Sequence, residues 1–326
     1  MNINYPIKFS PILKEKIWGG EKLIKLLNKQ SDKKNIGESW EISDVEGDTS
    51  VVSNGELVGL SLQELISKFK GELVGEKVYQ QFGEKFPLLI KFIDAKTALS
   101  IQLHPNDALA KKRHNSFGKT EMWYVMQADK NANLIVGFKE DVSSDTYLQH
   151  LKSKSLLDIL NVDIVNNGDV YFIPTGRVHA IGAGVLLAEI QQTSDITYRI
   201  YDWDRVDADG NERDLHTDEA IDAIDYRAQE SYQTDYSQTE NESTQIISCP
   251  YFTTNILPVK GEVKVNHQDK DSFVIYMCVS GEVVFNYGNQ QSVKLIEGET
   301  VLIPSTLKEF EIKSEVQSEL LEIFIK

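Results

Sequence analysis

A glutamine and a histidine two residues apart, Gln102 and His104, are the first side chains in this 326-residue chain whose spacing suggests chemistry. They alternate with Ile101 and Leu103, and this period of two predicts a strand that carries both polar side chains on one face. An amide oxygen and an imidazole nitrogen presented together could be two ligands of one metal ion. The pair alone leaves two interpretations open. The pair is either half of a metal site that faces a cavity, or two polar residues on the solvent-exposed face of a half-buried strand.

The elements that must position this pair are predicted to be short strands with helices inserted between them. Period-two alternation predicts one strand with a single buried face at 37–43, and apolar residues at helical spacing predict a helix at 60–82 that begins with a Ser61 and Glu64 capping box. A short helix is predicted at 106–114 and a longer one at 141–160, both within the part of the chain that carries the candidate ligands. Further strands are predicted at 121–126, 170–173, 186–190 and 196–201.

An internal repeat divides the chain into two parts. Residues 168–174, GDVYFIP, recur as 298–304, GETVLIP, and 123–126 align with 275–278. We therefore predict two copies of one β-roll, in domains 1–240 and 241–326, with a polar linker at 229–244. The counterparts of Glu121 and His179 in the second copy are Phe273 and Glu309, so the second domain is predicted to have no metal site.

Composition narrows the class of protein. The formal net charge of -16 disfavours nucleic acid and anionic membranes as partners, because either would be repelled by so acidic a surface. Two cysteines, Cys249 and Cys278, are typical of a reducing compartment. The first residues lack the pattern of a signal peptide and no run has transmembrane length, so we expect a cytoplasmic protein.

Two motifs then resemble those of the cupin family. The spacing Gly168-x5-Pro174-x-Gly176-x2-His179 resembles the second cupin motif, and Gln102-x-His104 followed by Glu121 resembles the first. The resemblance implies that four ligands converge at the mouth of a β-roll: Gln102, His104, Glu121 and His179. Two departures are visible. Gln102 replaces the usual first histidine, and Glu121 follows His104 by seventeen residues because a helix-like insert intervenes.

Four stretches, at 86–107, 118–125, 174–191 and 193–205, together resemble the type I mannose-6-phosphate isomerases in their short bacterial form. The resemblance implies a mainly β fold of two cupin (jelly-roll) β-barrels, with helical insertions at about 60–83 and 141–160. It also implies one zinc ion per chain on the four ligands. By resemblance, the catalytic residues are Arg199, Lys119 and Glu189, and the substrate-binding residues are Lys91 and Arg205, the last at a position where longer members have a lysine.

The implied reaction is the interconversion of mannose 6-phosphate and fructose 6-phosphate through an enediol. The cations are expected to attract the phosphosugar dianion, and the general base stays open between Glu189, a relay through zinc-bound water, and a lysine of lowered pKa. Two other functions remain possible from the residues: a metal-dependent oxygenase on the same fold and a catalytically silent sugar-phosphate binding protein. The oligomeric state is expected to be a monomer or a weak homodimer.

Several residues also have plain structural interpretations. Lys91 could be a lysine at the core edge with its ammonium in water, and Glu189 could only pair with a strand neighbour. Three tryptophans could line a sugar site, although core packing is commoner for large aromatics: Trp18, Trp40 and Trp203. Solvated side chains are expected for the histidines outside the motifs, which are His114, His150, His216 and His267.

Overall fold

The protein is mainly β. A computed structural model describes residues 2–206 and 210–326, and within these ranges it contains twenty strands. The strands of the N-terminal part are β1 (Ile12–Gly20), β2 (Ile36–Ile42), β3 (Asp44–Val45), β4 (Asp48–Thr49), β5 (Leu88–Ala95), β6 (Ile101–Leu103), β7 (Glu121–Ala128), β8 (Asn133–Phe138), β9 (Leu160–Ile164), β10 (Val170–Ile173), β11 (His179–Ile181), β12 (Val185–Gln192) and β13 (Tyr198–Tyr201). Those of the C-terminal part are β14 (Thr244–Ser248), β15 (Thr253–Asn266), β16 (Val274–Ser280), β17 (Glu282–Tyr287), β18 (Gln291–Ile296), β19 (Thr300–Ile303) and β20 (Glu309–Phe324).

Helices are short and lie almost entirely in the N-terminal part. The α-helices are α1 (Lys22–Lys25), α2 (Leu62–Phe69), α3 (Gly71–Val74), α4 (Glu76–Phe82), α5 (Asp107–His114), α6 (Ser144–Lys152) and α7 (Thr217–Ile221). Single 3-10 turns occur at Gly55–Leu57 and Leu156–Asp158. No helix among the described residues is long and apolar enough to cross a lipid bilayer.

Two antiparallel sheets form the N-terminal unit. One has six strands in the order β1-β2-β5-β12-β7-β10, and the other has five in the order β13-β6-β11-β8-β9. Apolar side chains from both sheets meet in one core cluster, for example Ile93 and Val125 from the first sheet and Val136 and Ile181 from the second. The unit is therefore a two-layer sandwich, and the site described below lies where polar residues replace this apolar filling.

The C-terminal unit is a seven-stranded sheet that curls around its own core. Its main path is β14-β15-β20-β16-β19, and the β17 and β18 hairpin pairs with β20. A separate apolar cluster fills it, including Tyr276, Phe285 and Ile312. The two units also share a larger cluster, and the N-terminal segment reaches across, since Ile7 pairs with Leu302. They therefore bury a common apolar surface.

The two copies of the internal repeat have equivalent strand pairing. Strand β10 pairs antiparallel with β7, and β19 pairs in the same way with β16. Gly168 and Gly298, at the start of the two copies, have φ angles of +88° and +83°, a conformation that glycine adopts without strain. The expected closure into barrels is not found among the described strands. The free edge of β10 is instead covered by the chain near Gln233, which bridges Tyr171.

The helical insertion at about 60–83 is present, but as three helices instead of one. The Ser61 and Glu64 capping box starts α2 as predicted. The helical path then breaks at Lys70, with a φ of +47°, and at Gly75, with a φ of +94°. Both conformations lie outside the right-handed helical region, so each ends a helix.

The helix predicted at 141–160 is shorter than expected. It spans only Ser144–Lys152, and strand β9 already begins at Leu160. The Ser153 hydroxyl donates to the backbone oxygen of Gln149 at 2.9 Å, and Lys154 has a φ of +56°. The positive φ of Lys154 takes the chain out of the helical region, so the helix does not continue beyond this point.

Two further predictions are corrected by burial. Strand β2 was expected to bury one face, but all seven of its residues are buried because sheet and cavity cover both faces. His267 was expected in water, but it is only 4% exposed. Its Nε2 lies 3.1 Å from Glu322 Oε1, and Glu322 also accepts hydrogen bonds from Lys270 and Tyr276.

The polar segment 229–244 packs against the N-terminal unit. Tyr232 is buried, and its hydroxyl donates to the Phe138 carbonyl oxygen at 2.9 Å. The Thr234 N–H donates to the Val170 carbonyl oxygen at 2.8 Å. The segment joins the two units as predicted, but it is held along an edge strand and is no free tether.

Candidate active site

A row of four polar or aromatic side chains crosses the six-stranded sheet. Trp40 on β2 is opposite Lys91 on β5, Lys91 is opposite Glu189 on β12, and Glu189 is opposite Trp123 on β7. Residues directly opposite each other in antiparallel strands point to the same face of the sheet. The sheet therefore presents this row to the space between the two layers.

The five-stranded sheet presents a second row towards the same space. His179 on β11 is opposite Gln102 on β6, and Gln102 is opposite Arg199 on β13. Both rows line a cavity of about 340 Å³, a volume suited to a small ligand. Its charged lining residues are Lys16, Glu38, Lys91, Lys119, Glu189, Asp195, Arg199 and Arg213.

Three candidate metal ligands meet beside this cavity. The ligand-capable atoms of His104, Glu121 and His179 all lie within 4.8 Å of one another, and the three residues are buried. His104 Nε2 lies 3.5 Å from Glu121 Oε2, and His179 Nε2 lies 3.5 Å from Glu121 Oε1. His104 lies in the loop directly after β6, and Glu121 and His179 are the first residues of β7 and β11.

The surrounding backbone sets both imidazole tautomers. His104 Nδ1 lies 2.8 Å from the Ile196 carbonyl oxygen, and His179 Nδ1 lies 2.8 Å from the Arg177 carbonyl oxygen. A carbonyl oxygen can only accept, so each Nδ1 carries the proton and each Nε2 presents its lone pair to Glu121. Burial also lowers the pKa of both imidazoles, His179 to about 3, which keeps them neutral. Neutral imidazole with a bonded second nitrogen is the form in which histidine binds metals.

The three residues fit a bound cation. Glu121 Oε1 and His179 Nε2 are fully buried and make no hydrogen bond to any described residue, which is costly unless another group satisfies them. Ligand atoms about 2.1 Å from a tetrahedral zinc ion are about 3.4 Å apart, close to the two 3.5 Å separations. The donor set, two imidazoles and a carboxylate, is one that zinc accepts.

Lys119 supplies one positive charge to this cluster. Its ammonium contacts the Glu121 carboxylate and lies 3.0 Å from His104 Nε2. Lys119 lies outside the strand, because β7 begins only at Glu121. Asp107 positions the segment before Lys119, because its carboxylate accepts from the Gly118 N–H at 2.8 Å and from the Tyr251 hydroxyl of the C-terminal unit at 2.7 Å.

Glu189 is held in place from two sides. Trp123 Nε1 donates to its Oε2 at 2.9 Å, and the Lys91 ammonium lies 3.1 Å from its Oε1. Burial by itself raises the pKa of this carboxyl group, but Lys91, Lys119 and the indole N–H outweigh it and lower the pKa below the ordinary value. Glu121 shows the reverse balance, because burial and then the charge of Glu189 raise its pKa.

The remaining predicted residues divide into two groups. Gln102 lines the cavity, where its Oε1 accepts from the Ser100 hydroxyl at 3.2 Å, and Arg199 also lines it. Arg205 is not among the lining residues. Its guanidinium donates to the Ala98 carbonyl oxygen at 2.7 Å and pairs with Asp202, so the expectation that it faces the substrate does not agree with its placement.

Sequence reasoning missed other residues of the cavity, among them Lys16, Glu38, Trp123 and Arg213. Glu38 could have been found, since it shares the period-two face of Trp40, and its carboxylate accepts from the Trp40 indole at 2.6 Å. Arg213 lies outside the predicted strands and helices and had no such signal. Of the three tryptophans considered for a sugar site, Trp18 and Trp40 line the cavity, whereas the Trp203 indole donates to the Leu99 carbonyl oxygen.

Family models and similar proteins agree on the family of this chain. Residues 7–134 match the model of the phosphomannose isomerase type I catalytic domain, and residues 241–320 match that of the mannose-6-phosphate isomerase cupin domain. The chain is 33% identical to mannose-6-phosphate isomerase of Streptococcus mutans over 96% of both chains. It is 34% identical to mannose-6-phosphate isomerase ManA of Bacillus subtilis, over 94% of this chain and 96% of the relative.

Solved structures agree. The crystal structure of mannose 6-phosphate isomerase from Bacillus subtilis superimposes with a TM-score of 0.88 at 31% identity, covering 98% of this chain and 99% of that one. A more distant structure, a putative mannosephosphate isomerase from Archaeoglobus fulgidus, shares the fold with a TM-score of 0.78 at 24% identity.

Proposed function

Since the chain belongs to the type I phosphomannose isomerases and is an aldose-ketose isomerase, we propose that it interconverts mannose 6-phosphate and fructose 6-phosphate. The observation that carries the proposal is the buried triad of His104, Glu121 and His179 beside a cavity lined with cations. The two alternatives, an oxygenase and a silent binding protein, find no support among the matched relatives.

The metal of this site is proposed to be zinc, one ion per chain. The triad would hold it, and Gln102, in register with His179 across the sheet, is the proposed fourth ligand. Bound there, zinc would supply a Lewis acid that stabilises negative charge developing on a substrate oxygen. The orphaned Glu121 and His179 atoms support a cation at this position.

The residues of the chain would bind the substrate and move its proton. Aldose and ketose differ by a proton shifted between C1 and C2, and the proposed route passes through an enediol. Glu189 and Lys119 both reach the cavity and lie near the triad, and each could hold that proton. The fixed hydrogen bond from Trp123 would keep the Glu189 carboxylate aimed at the same point.

Cations on the cavity wall would bind the rest of the molecule. Lys91 is buried beside Glu189 and faces the interior, where it could bind substrate hydroxyl groups. Arg199, at the other end of the row from His179, would stabilise negative charge on the substrate. Arg205 would act on the cavity through Asp202, which it holds.

The proposal extends to the domains, the oligomeric state and the compartment. Separate core clusters support two jelly-roll domains, 1–240 and 241–326, the second without a metal site. Monomer or weak homodimer is the proposed oligomeric state. Two cysteines without a disulfide support a reducing compartment, and we propose the cytoplasm.

Chelation followed by zinc restoration tests the function. The purified protein should lose turnover of mannose 6-phosphate to fructose 6-phosphate in a coupled assay when its metal is removed, and regain it with added zinc. His179→Ala should have neither bound zinc nor turnover. Full turnover by a protein that elemental analysis shows to be metal-free would refute the proposed metal role, and absence of turnover with zinc bound would refute the proposed reaction.

A further inference from the structure

The positive charge of the cavity is unevenly compensated. Each lining lysine pairs with a carboxylate: Lys16 lies 3.1 Å from Glu38 and Lys91 lies 3.1 Å from Glu189, while Lys119 contacts the ligand Glu121. The lysine-lined region is therefore close to neutral. On the opposite wall the cations are arginines, and not every one of them pairs with a carboxylate.

Three arginines lie near one buried carboxylate, and two of them pair with it. Asp202 is 5% exposed, and it pairs with both Arg205 and Arg213. Arg199 makes no ion pair with any described carboxylate. Its Nη1 donates only to the Asp214 carbonyl oxygen at 2.8 Å, and its Nε is buried without a hydrogen-bond partner among the described residues.

The two arginines on Asp202 point in different directions. Arg213 donates to the carboxylate with two nitrogens, Nε at 2.7 Å and Nη2 at 2.6 Å, which fixes the plane of its guanidinium. Its side chain is 31% exposed and lines the cavity. Arg205 spends its donors on Asp202 and on the Ala98 backbone and does not line the cavity.

Charge then indicates the ligand. Three guanidinium groups with one carboxylate leave two positive charges uncompensated, and a phosphate monoester carries about -1.5 to -2 at neutral pH. Asp195 also lines the cavity and Asp214 interacts electrostatically with Arg199, but both carboxylates are exposed to water, which screens their charge. Arg199 and Arg213 both line the cavity. Burial and then the charge of Arg213 lower the pKa of Arg199, whereas the charges of Asp202 and Asp214 raise it.

Position agrees with charge. Arg199 lies two strands from His179 along the row through Gln102, and strands are about 4.8 Å apart, so the backbones of the two residues are separated by about 10 Å. Arg199 is thus two strands from His179, although it is only one strand from Gln102. A phosphosugar with its carbonyl end beside His179 could therefore place its phosphate group beside Arg199.

We propose that Arg213, whose guanidinium plane is fixed by two hydrogen bonds to Asp202, binds the phosphate group of the substrate beside Arg199. In this proposal Arg205 does not contact the substrate and only holds Asp202 in position. This assignment rests on the proposed function, because it presumes a phosphosugar that reacts beside the triad. It makes Arg213 the residue through which the enzyme selects a phosphorylated sugar.

The test compares Arg213→Ala with Arg205→Ala, and Arg227→Ala serves as a control on an exposed arginine that pairs with Asp225 outside the cavity. Two quantities are measured: the KM and kcat for mannose 6-phosphate, and the Kd for inorganic phosphate by calorimetry on zinc-loaded protein. Arg213→Ala should raise both the KM and the phosphate Kd by about 10- to 100-fold and change kcat less than threefold, because one charge-assisted bidentate contact is lost. The KM and the phosphate Kd of Arg213→Lys should lie between those of wild type and Arg213→Ala, because lysine keeps the positive charge but lacks the forked pair of nitrogen donors of a guanidinium.

Arg205→Ala should lower the melting temperature, and it should raise the phosphate Kd less than Arg213→Ala does. The assignment is overturned if Arg213→Ala binds phosphate as wild type does, if its kcat falls while KM stays constant, or if Arg205→Ala has the larger effect on the phosphate Kd. Calorimetry needs no turnover, so it also separates this inference from the reaction. Wild type that fails to isomerise mannose 6-phosphate refutes the proposed function, whereas a competent wild type with an unchanged Arg213→Ala variant refutes the phosphate site alone.

Discussion

The Lys91–Glu189 pair gives the sharpest prediction on stability. The two side chains are 6% and 3% exposed, and the charged atoms lie 3.1 Å apart. Replacing Lys91 by Met leaves the Glu189 carboxylate buried with only the Trp123 indole as a donor. Breaking one partner of a buried ion pair costs about 3 to 5 kcal/mol, so Lys91→Met should lower the free energy of unfolding by that amount.

The double variant decides whether the pair or the individual residues carry this energy. In Lys91→Met/Glu189→Gln no charge of the pair remains, and the Gln oxygen can still accept from Trp123. We expect the double variant to be about 2 kcal/mol more stable than the sum of the two single losses predicts. Its turnover should stay as low as that of the single variants, because both side chains face the cavity.

Urea denaturation followed by tryptophan fluorescence measures the four free energies, and the coupled isomerase assay measures turnover. The Lys25–Glu21 pair, whose side chains are 68% and 57% exposed, is the matched control and should show no measurable coupling. Single effects at Lys91 and Glu189 that add to within about 0.5 kcal/mol would refute the reasoning. So would a double variant that recovers both stability and turnover.

Three other predictions concern the framework. Gly176→Ala should destabilise the fold by about 2 kcal/mol or more, because φ is +84° there and an added Cβ would lie 2.6 Å from a backbone carbonyl oxygen; a melting temperature equal to that of wild type would contradict this. Tyr251→Phe removes the 2.7 Å hydrogen bond to Asp107, so kcat should fall with little change in metal content, and an unchanged kcat would show that the C-terminal unit does not position Lys119 through this contact. Burial lowers the pKa of His267, whereas the pKa of Glu322 is lowered because hydrogen bonds from His267 and Lys270 outweigh its burial. Both groups therefore take up protons at a higher pH in the unfolded chain than in the folded one, so stability should fall as the pH drops below about 6.5. In a plot of melting temperature against pH, Glu322→Gln should have a flatter acid limb than wild type.

Much of the fold could be predicted from the sequence because its signals are local. The alternation of Gln102 and His104 with apolar neighbours places both on one face wherever the strand lies, and the Ser61 capping box starts a helix without help from distant residues. The repeated Gly-to-Pro motif likewise predicted equivalent strand pairs in the two halves. Helix ends were less accurate, because single residues such as Lys70 and Lys154 adopt left-handed backbone angles that no pattern announces.

The composition of the cavity depended on strand order, which a local pattern does not contain. Trp123 bonds Glu189 because β12 lies between β5 and β7, and those residues are 66 positions apart in sequence. Burial of His267 follows from Glu322, 55 residues away, which can bond it only once β20 is in place.

By itself, the sequence determined the ligand types, their spacing on short elements and the family, since these depend on residue identity and on neighbours a few positions away. Only the tertiary structure decided which cations face the cavity. The guanidinium of Arg205, a residue that the sequence singled out, is directed to Asp202 and the Ala98 backbone. Arg213, which no sequence pattern singled out, lines the cavity. The direction of a long side chain is set by the partners that packing brings within hydrogen-bond distance, and those partners are known only when the chain is folded.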